Sequence, residues 1–298
     1  MDWRRRTILG ALGGILAPRL HAQDDKHLHM KTIPASGKTL PVIGLGTWQT
    51  FDVGVREAQL APLREVLKLL DGNVVDSSPM YGASEQVAGE LIKELHLREK
   101  LFVATKVWTH GRDEGERQIE RSFRFLRVET LDLLQVHNLV DVETHTKTLL
   151  ALKERKKVRY IGITHYTASA YAEVERAMKA AKYDFLQINY SLAEREAEKR
   201  LLPFAAERKV NVIINRPFAG SSLFRRTKGK ALPPWAAELG IASWAQYFLK
   251  WIVSHPAVTC AIPGTARPEH MRDNLAGGQG PMPDAAARRK MVEHFDAL

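Results

Sequence analysis

Three apolar runs of the sequence each end in a polar side chain that could take part in proton transfer. Asp76 ends the run in VVDSSPMYG, and Tyr81 follows the Ser-Ser-Pro turn of the same stretch. Lys106 ends the run LFVATK, and His137 ends the run LDLLQVH. Such a set of groups suits proton transfer to a carbonyl oxygen, with a phenol as the general acid or base.

The phenol of Tyr81 needs help to act near neutral pH, because the ordinary pKa of a tyrosine is about 10. We expect the ammonium of Lys106 to lower that pKa, and the carboxylate of Asp76 to hold the ammonium in place. His137 would donate or relay a hydrogen bond at the same oxygen. No metal is expected, because the sequence lacks the Cys and carboxylate-His spacings that are typical of zinc sites.

Each of these residues also has a purely structural interpretation. An Asp at a strand end often caps a loop, a Lys is usually solvated, a lone His usually packs, and a Tyr after a turn often covers a surface. Their positions at the ends of neighbouring strands favour a shared site, because the carboxyl ends of parallel barrel strands meet at one rim.

The elements that must position these residues alternate short apolar runs with amphipathic stretches. Helical spacing is found, for example, in EQVAGELIKELHL from Glu85 and in QIERSFRFLRV from Gln118. Continuous apolar strands that alternate with helices indicate a parallel sheet covered on both faces. The eight runs are VIGLG, NVVDSS, LFVATK, LDLLQVH, VRYIGIT, FLQINY, VNVIINR and VTCAIPG.

Eight such units predict the α/β class and a (β/α)8 TIM barrel, which typically needs about 250 residues. Two short extended pieces around Ser36 and Gly37 predict an N-terminal β-hairpin that closes the bottom of the barrel. The alternative, an open doubly wound sheet, should show Gly-x-Gly-x-x-Gly after its first strand, and the sequence there is GLGTWQT. The longest irregular segment, residues 216–234, follows the seventh run, where barrels of this kind often bind phosphate.

Composition narrows the choice of partners. The 298 residues carry a net charge of +10, which could suit nucleic acid, a membrane surface or a phosphorylated small molecule. The basic residues are spread along the chain, and no nucleic-acid-binding motif is present, so we expect no nucleic-acid partner.

The N-terminus resembles a twin-arginine export signal. Three arginines, Arg4 to Arg6, precede an apolar run at residues 8–17 and a small-residue site near Ala22. We therefore expect a signal peptide at residues 1–22, passage through the Tat translocase, a periplasmic location and one barrel domain at residues 23–298. Cys260 is the only cysteine in the sequence, so folding before export needs no disulfide. The alternative is a cytoplasmic protein with a basic tail.

Seven segments together resemble the aldo/keto reductase superfamily: GLGTW, VVDSSPMYG, VATKVW, LLQVHN, GITHYT, LQINY and IPGTARPEHMRDNL. The resemblance covers residues 30 to 280 and implies a TIM barrel that binds NADPH, with NADH possible, and transfers hydride to a carbonyl. It implies that Asp76, Tyr81, Lys106 and His137 are the catalytic residues. Trp48 and Trp108 would wall a mostly apolar pocket for a small-molecule carbonyl substrate.

The resemblance also implies a set of cofactor contacts. Thr164, His165 and Gln187 would hold the nicotinamide amide, with His165 standing where relatives carry Asn. Arg216 falls where relatives stack an aromatic ring, and Arg267 would grip the adenosine phosphate. The full set is Gly46, Thr47, Thr164, His165, Gln187, Asn215, Arg216, Pro217, Gly220, Leu223, Gly264, Thr265, Arg267, His270 and Asn274.

Two other functions stay open at this point. The changed nicotinamide contacts would also suit a cofactor-binding regulatory or redox-sensing barrel that acts through a partner. A barrel lyase or isomerase without nicotinamide would require all seven matches to be accidental. The sequence leaves the physiological substrate undetermined, and we expect a monomer or a small homo-oligomer, with a redox partner possible if the protein is exported.

Overall fold

The computed structural model describes residues 27–298, so the predicted signal peptide at residues 1–22 lies outside the described residues. The described chain begins with a hairpin of two antiparallel strands, β1 (Met30–Thr32) and β2 (Thr39–Pro41). Eight further strands follow and pair in parallel, in chain order, within one sheet. They are β3 (Leu45–Gly46), β4 (Val74–Asp76), β5 (Phe102–Val107), β6 (Leu131–His137), β7 (Val158–Thr164), β8 (Phe185–Asn189), β9 (Asn211–Asn215) and β10 (Cys260–Ala261).

The first and last strands of this sheet meet and close it into a barrel. Parallel bridges join Ile43 to Ala261 and Gly46 to Gly264. Gly46 is required at this seam, because a Cβ atom there would lie 2.9 Å from the carbonyl oxygen of Ile262. The predicted (β/α)8 barrel is therefore confirmed, and all eight apolar runs supply a strand.

The hairpin closes the bottom of the barrel, as predicted. Ile33 and Leu40 are buried against the aromatic side chains of Phe102, Tyr160 and Phe185, which stand near the starts of their strands. The Phe102 and Tyr160 rings stack with centroids 5.9 Å apart. This apolar layer fills the lower interior, so the polar interior residues are confined to the upper half of the barrel.

Helices cover the outside of the barrel between the strands. Within residues 27–298 none of them is long and apolar enough to cross a membrane. They are α1 (Glu57–Leu67), α2 (Ser84–Glu94), α3 (Arg112–Phe125), α4 (Val142–Glu154), α5 (Tyr171–Ala180), α6 (Leu201–Glu207), α7 (Ser222–Thr227), α8 (Trp244–Val253), α9 (Pro268–Ala276) and α10 (Ala285–Asp296).

Two helices differ from the sequence-based expectation. The helix predicted from Gln118 begins earlier, at Arg112, because its first turns are polar and carry no apolar signal. Gly115 in those turns allows close packing, since a Cβ there would lie 2.4 Å from Cε1 of His145. The segment predicted to be irregular after β9 contains the short helix α7.

Candidate active site

Lys106 and Asp76 form a buried ion pair at the upper ends of β5 and β4. Nζ of Lys106 lies 2.5 Å from Oδ2 of Asp76, and the side chains are 0% and 3% exposed. Nζ also donates to the backbone carbonyl of Ser77 at 2.8 Å. Burial is the largest single effect and acts to lower the pKa of Lys106, but the charges and hydrogen bonds of Asp76 and Tyr81 together outweigh it and raise that pKa above its usual value. Lys106 is therefore a fixed cation.

The second carboxylate oxygen of Asp76 is held by two buried amides. Gln187 donates to Oδ1 at 3.0 Å, and Gln135 donates to the same atom at 3.3 Å. Gln135 lies directly opposite Lys106 in the pairing of β5 with β6. Sequence reasoning missed Gln135, although its position two residues before His137 in a strand places both side chains on the same face.

The turn that carries Tyr81 is anchored on both sides. The Tyr81 N–H donates to the carbonyl of Ser78 at 3.0 Å. After the tyrosine, Gly82 has a φ of +58°, and a Cβ on it would lie 2.3 Å from the carboxylate of Asp52. Asp52 in turn accepts the backbone N–H of Ala83 at 2.9 Å, directly before α2. These contacts fix the direction in which the tyrosine leaves the turn.

The turn brings Tyr81 to the other predicted catalytic residues. Nζ of Lys106 lies 5.0 Å from the centroid of the Tyr81 ring. The ring of His137, at the end of β6, meets the tyrosine ring edge to face with centroids 5.7 Å apart. The structure thus brings Asp76, Tyr81, Lys106 and His137 together.

Lys106 lowers the Tyr81 pKa, as predicted, but the net shift of that pKa has the opposite direction. Burial raises the pKa of Tyr81 above its usual value, and this effect outweighs the opposing effect of the Lys106 ammonium. The phenol is therefore neutral at physiological pH. A neutral phenol has a proton to donate, which suits it to the role of a general acid.

His137 is neutral as well. Burial, together with the positive charge of Lys106, lowers its pKa to about 2. Its Nδ1 atom lies 2.9 Å from the hydroxyl oxygen of Ser78, a partner that sequence reasoning did not single out. The position of Ser78, two residues after Asp76 and in the same turn as Tyr81, is the sequence feature that could have indicated this contact.

Aromatic side chains border the upper end of the barrel. Trp48 and Trp108, which follow β3 and β5, are 50% and 41% exposed. The side-chain amide of Gln118 accepts from the Trp108 N–H at 2.6 Å and donates to the Trp108 carbonyl at 3.0 Å, which fixes this loop on α3. Met80, next to Tyr81, is 38% exposed and was not predicted as part of this surface.

The predicted nicotinamide contacts lie at the ends of β7, β8 and β9. The Thr164 hydroxyl donates to Oε1 of Gln187 at 3.2 Å, so the Gln187 amide links this group to Asp76. Asn215 donates from Nδ2 to the carbonyl of His165 at 3.1 Å. These four predicted cofactor residues are therefore joined to one another and to the ion pair.

Arg216 extends this rim beyond β9. It has a φ of 48°, and its guanidinium lies over the ring of Tyr166, with Cζ 5.9 Å from the ring centroid. Tyr166 stacks on His165 with centroids 5.4 Å apart. Sequence reasoning did not single out Tyr166, whose ring lies beside Arg216. Nε of Arg216 and Oδ1 of Asn215 are buried without a partner within residues 27–298.

The remaining predicted cofactor residues form three groups, which lie after β9, at the barrel seam and beyond β10. After β9, Gly220 is exposed with a φ of +60°, while Pro217 and Leu223 are buried. The Leu223 side chain belongs to the hydrophobic core, so only its backbone can serve a ligand. At the barrel seam, Thr47 is buried and donates to Ser77 Oγ at 2.9 Å.

Beyond β10, the chain turns into α9. Thr265 accepts the backbone N–H of Arg267 at 3.1 Å, which shapes the start of the helix. The Arg267 guanidinium is exposed and pairs with Glu269, with Nε 2.7 Å from Oε1. Gly264 and His270 are exposed and Asn274 is buried.

Chemically, the upper end of the barrel presents a neutral phenol and a neutral imidazole beside a buried cation. Both neutral groups can donate a hydrogen bond, and the cation stabilises negative charge on the phenol once its proton has left. This arrangement can polarise and protonate an oxygen atom of a ligand.

Comparison with known proteins places the chain among reductases of this architecture. The model of the aldo/keto reductase family matches residues 42–289. The methylglyoxal reductase YeaE of Escherichia coli is 30% identical over 258 residues, which cover 84% of this chain and 89% of that protein. The pyridoxine 4-dehydrogenase of the same organism is 25% identical over 273 residues, covering 82% and 92% of the two chains.

Solved structures agree with this comparison. An aldo-keto reductase from Klebsiella pneumoniae in complex with NADPH superimposes with a TM-score of 0.75 at 26% identity, covering 90% of this chain and 96% of that one. An aldo/keto reductase from the same organism, in complex with NADP and acetate, gives a TM-score of 0.73 at 26% identity, covering 87% and 93%.

Proposed function

The chain belongs to the aldo/keto reductase family, and from that premise we propose how its residues reduce a carbonyl group. It is an NAD(P)H-dependent oxidoreductase that acts on aldehydes or ketones. The observation that carries the residue assignment is the joint position of Tyr81, Lys106 and His137. Nζ of Lys106 lies 5.0 Å from the centroid of the Tyr81 ring. The His137 ring meets the Tyr81 ring edge to face, with centroids 5.7 Å apart.

In the proposed reduction, Tyr81 donates its proton to the substrate oxygen as negative charge develops there. Lys106, kept charged by Asp76, stabilises the phenolate that remains. His137 is neutral and donates a hydrogen bond to the same oxygen, which pre-organises the site for the developing charge. When bound, the reduced nicotinamide supplies the hydride.

The residues around β7, β8 and β9 fit a polar cofactor. Buried polar atoms are normally paired, and the unpaired atoms of Asn215 and Arg216 at this rim are suited to a polar ligand. We assign the nicotinamide end to Thr164, His165 and Gln187. For the adenosine phosphate we assign Arg267 and the backbone at the start of α9, because cationic forks and helix N-termini favour anions. The assignment favours NADPH.

We infer that the substrates are small aldehydes or ketones, including those with hydrophobic or aromatic parts. The exposed rings of Trp48 and Trp108, together with the exposed side chain of Met80 in the turn that carries Tyr81, would provide an apolar wall. The similarity to a methylglyoxal reductase supports small 2-oxoaldehydes as one class. NADPH consumption with methylglyoxal, benzaldehyde and a simple ketone tests this directly. Cofactor binding without turnover of any carbonyl in the panel would contradict it.

The alternative function, a regulatory or redox-sensing barrel, is based on the changed nicotinamide contacts at His165 and Arg216. The assembled group of Asp76, Tyr81, Lys106 and His137 favours catalysis instead, because a sensor has no need of a paired cation beside a protonated phenol. Slow turnover together with a tightly retained cofactor and a stable protein partner would support the regulatory function.

We also propose that the protein is exported by the twin-arginine route and acts in the periplasm. The support is the sequence of residues 1–22 and the lone Cys260, which is buried and free, so that folding before transport needs no disulfide. Reducing equivalents would then come from cofactor carried within the folded chain or from a redox partner. Cell fractionation of a C-terminally tagged protein, with Arg4, Arg5 and Arg6 replaced by Lys for comparison, tests export. An unchanged distribution would contradict it.

A further inference from the structure

Ser78 and His137 form a buried polar pair next to the catalytic tyrosine. Ser78 is 0% exposed and His137 is 5% exposed. The serine hydroxyl oxygen lies 2.9 Å from Nδ1 of the imidazole. The second ring nitrogen, Nε2, has no hydrogen-bond partner in the part of the chain that the structure describes. One nitrogen is thus occupied by the protein, and the other is left for a ligand.

The direction of the hydrogen bond between them follows from the groups around the hydroxyl. A serine hydroxyl has one proton to donate and two lone pairs that accept. The backbone N–H of Met80 donates to the Ser78 oxygen at 3.4 Å, so that side of the oxygen already accepts. If Nδ1 carried a proton and donated as well, the hydroxyl proton of Ser78 would have no acceptor among residues 27–298. If the hydroxyl donates to Nδ1, both the hydroxyl proton and Nδ1 have a partner, and only Nε2 is left for a ligand.

We propose that Ser78 is a positioning residue that holds His137 in the tautomer with its proton on Nε2. The proton of a neutral imidazole lies on the nitrogen that is not accepting a hydrogen bond. Donation from Ser78 to Nδ1 therefore makes Nε2 the donor toward the substrate oxygen. This inference deepens the proposed function and rests on it.

The choice of tautomer matters because His137 does not become charged. With a pKa lowered to about 2 by burial and by Lys106, the ring keeps a single proton throughout the physiological range. An imidazolium would have two donors and would not need a tautomer to be selected. A neutral ring with its proton on Nδ1 would present a lone pair to the carbonyl oxygen, and two lone pairs repel.

Ser78 also connects the imidazole to the turn that carries the general acid. Its backbone carbonyl accepts the N–H of Tyr81 at 3.0 Å, while its side chain serves His137. A substitution by Ala removes the side-chain contacts to His137 and to the Met80 N–H, whereas the carbonyl that accepts from Tyr81 remains. The contact to Met80 is long, at 3.4 Å, so the main effect should fall on the imidazole.

The test is nitrogen NMR on protein labelled at histidine, combined with kinetics. The two tautomers give distinct nitrogen chemical shifts and couplings, and the signals of His137 are identified among 11 histidines by their loss in His137→Gln. In the wild-type protein we expect His137 in the Nε2–H form. Ser78→Ala should move its nitrogen shifts toward an average of the two tautomers and lower kcat roughly tenfold, with an unchanged KM for NADPH.

Two variants act as controls. Ser78→Thr keeps the hydroxyl and should retain both the Nε2–H signature and most of kcat. Ser122→Ala removes another buried serine hydroxyl, which donates to Glu85 at 3.1 Å on the outside of the barrel, and should leave the His137 signals unchanged.

Two results would overturn the proposal. One is a wild-type His137 with its proton on Nδ1, a measurement that needs no variant and so does not depend on the folding of Ser78→Ala. The other is a folded Ser78→Ala with unchanged nitrogen shifts and unchanged kcat. A wild-type protein that shows the Nε2–H form but reduces no carbonyl would contradict the proposed function and leave the tautomer assignment intact.

Discussion

Nζ of Lys106 lies 2.5 Å from Oδ2 of Asp76 in the interior of the barrel, where both side chains are almost fully excluded from water. Removing two charges from water costs more free energy than most such pairs return, so a buried pair of this kind is weak evidence for stability. Its position beside the Tyr81 ring gives it a chemical use. The pair keeps a positive charge at a fixed distance from the phenol.

Replacing Lys106 by Met should reduce both stability and activity. The variant leaves the Asp76 carboxylate buried without its cation, which typically costs about 3–5 kcal/mol of unfolding free energy. Urea denaturation measures this loss of unfolding free energy. The kcat for carbonyl reduction should also fall, because the variant lacks the cation beside Tyr81. Lys68→Met breaks an exposed pair with Glu65 that spans 2.7 Å, and it should cost less than about 1 kcal/mol. Equal losses in the two variants would contradict the prediction.

The double variant Asp76→Asn with Lys106→Met separates the two effects. Removing the carboxylate charge as well should recover part of the lost stability, because no unpaired charge remains buried. Activity should not return, because the cation near Tyr81 is still missing. Recovered activity would contradict the role assigned to Lys106.

The pH dependence of reduction should be flat through neutrality. Reduction needs Tyr81 protonated, and burial raises its pKa above the usual value of 10.0, so kcat should decline only when alkaline pH removes that proton. His137 contributes no acidic limb near its ordinary value of 6.5, because its pKa is lowered to about 2. Alcohol oxidation needs the phenolate, so its rate should rise with pH. A reductive kcat that falls as the pH is lowered from 7 to 6 would mean that His137 titrates in this range, and it would contradict the prediction.

Trp108→Ala should weaken the binding of aromatic aldehydes more than that of methylglyoxal. The exposed indole supplies apolar contact area that only the larger substrate can use. Steady-state kinetics should show a rise in KM for benzaldehyde and a smaller change for methylglyoxal. Leu150→Ala removes an apolar side chain of similar exposure, 46%, from α4 and should change neither value. An equal rise for both substrates would exclude a selective aromatic wall.

Glu269→Gln should improve the use of NADPH relative to NADH. Glu269 lies 2.7 Å from the Arg267 guanidinium. If Arg267 binds the 2′-phosphate of NADPH as proposed, Glu269 competes with that phosphate for the guanidinium. Because both side chains are exposed, the gain should be a few-fold decrease in KM for NADPH that disappears at high salt. Glu57→Gln, which removes an exposed carboxylate on α1, serves as the control. An equal change for the two cofactors would place Arg267 away from the phosphate.

Sequence patterning was sufficient to predict the barrel and the meeting of the four side chains that we propose to be catalytic. Parallel strands end at one rim, so Asp76, Lys106 and His137 at three strand ends had to converge. The bounds of short strands such as Leu45–Gly46 could not be predicted from the apolar runs alone. Pairing with the last strand across the barrel seam determines how much of the run is a strand.

Other features depend on tertiary contacts that no spacing records. The raised pKa of Tyr81 results from burial by the whole rim, which outweighs the single ammonium visible in the sequence. The bond from Ser78 to His137 joins residues 59 positions apart, and its existence depends on the exact turn between β4 and α2. The ring of Tyr166 beside Arg216 depends on a left-handed backbone at Arg216, a conformation that its side chain does not favour.

The most direct test of the catalytic assignment is the kinetics of Tyr81→Phe. Removing the phenol hydroxyl should lower kcat for carbonyl reduction by roughly 10²- to 10⁴-fold, while the affinity for NADPH, measured by fluorescence titration, stays unchanged. Tyr183→Phe removes a buried hydroxyl that pairs with Thr146 outside the active site, and it should retain the wild-type kcat. A Tyr81→Phe protein that reduces carbonyls at the wild-type rate would contradict the assignment of Tyr81 as the general acid.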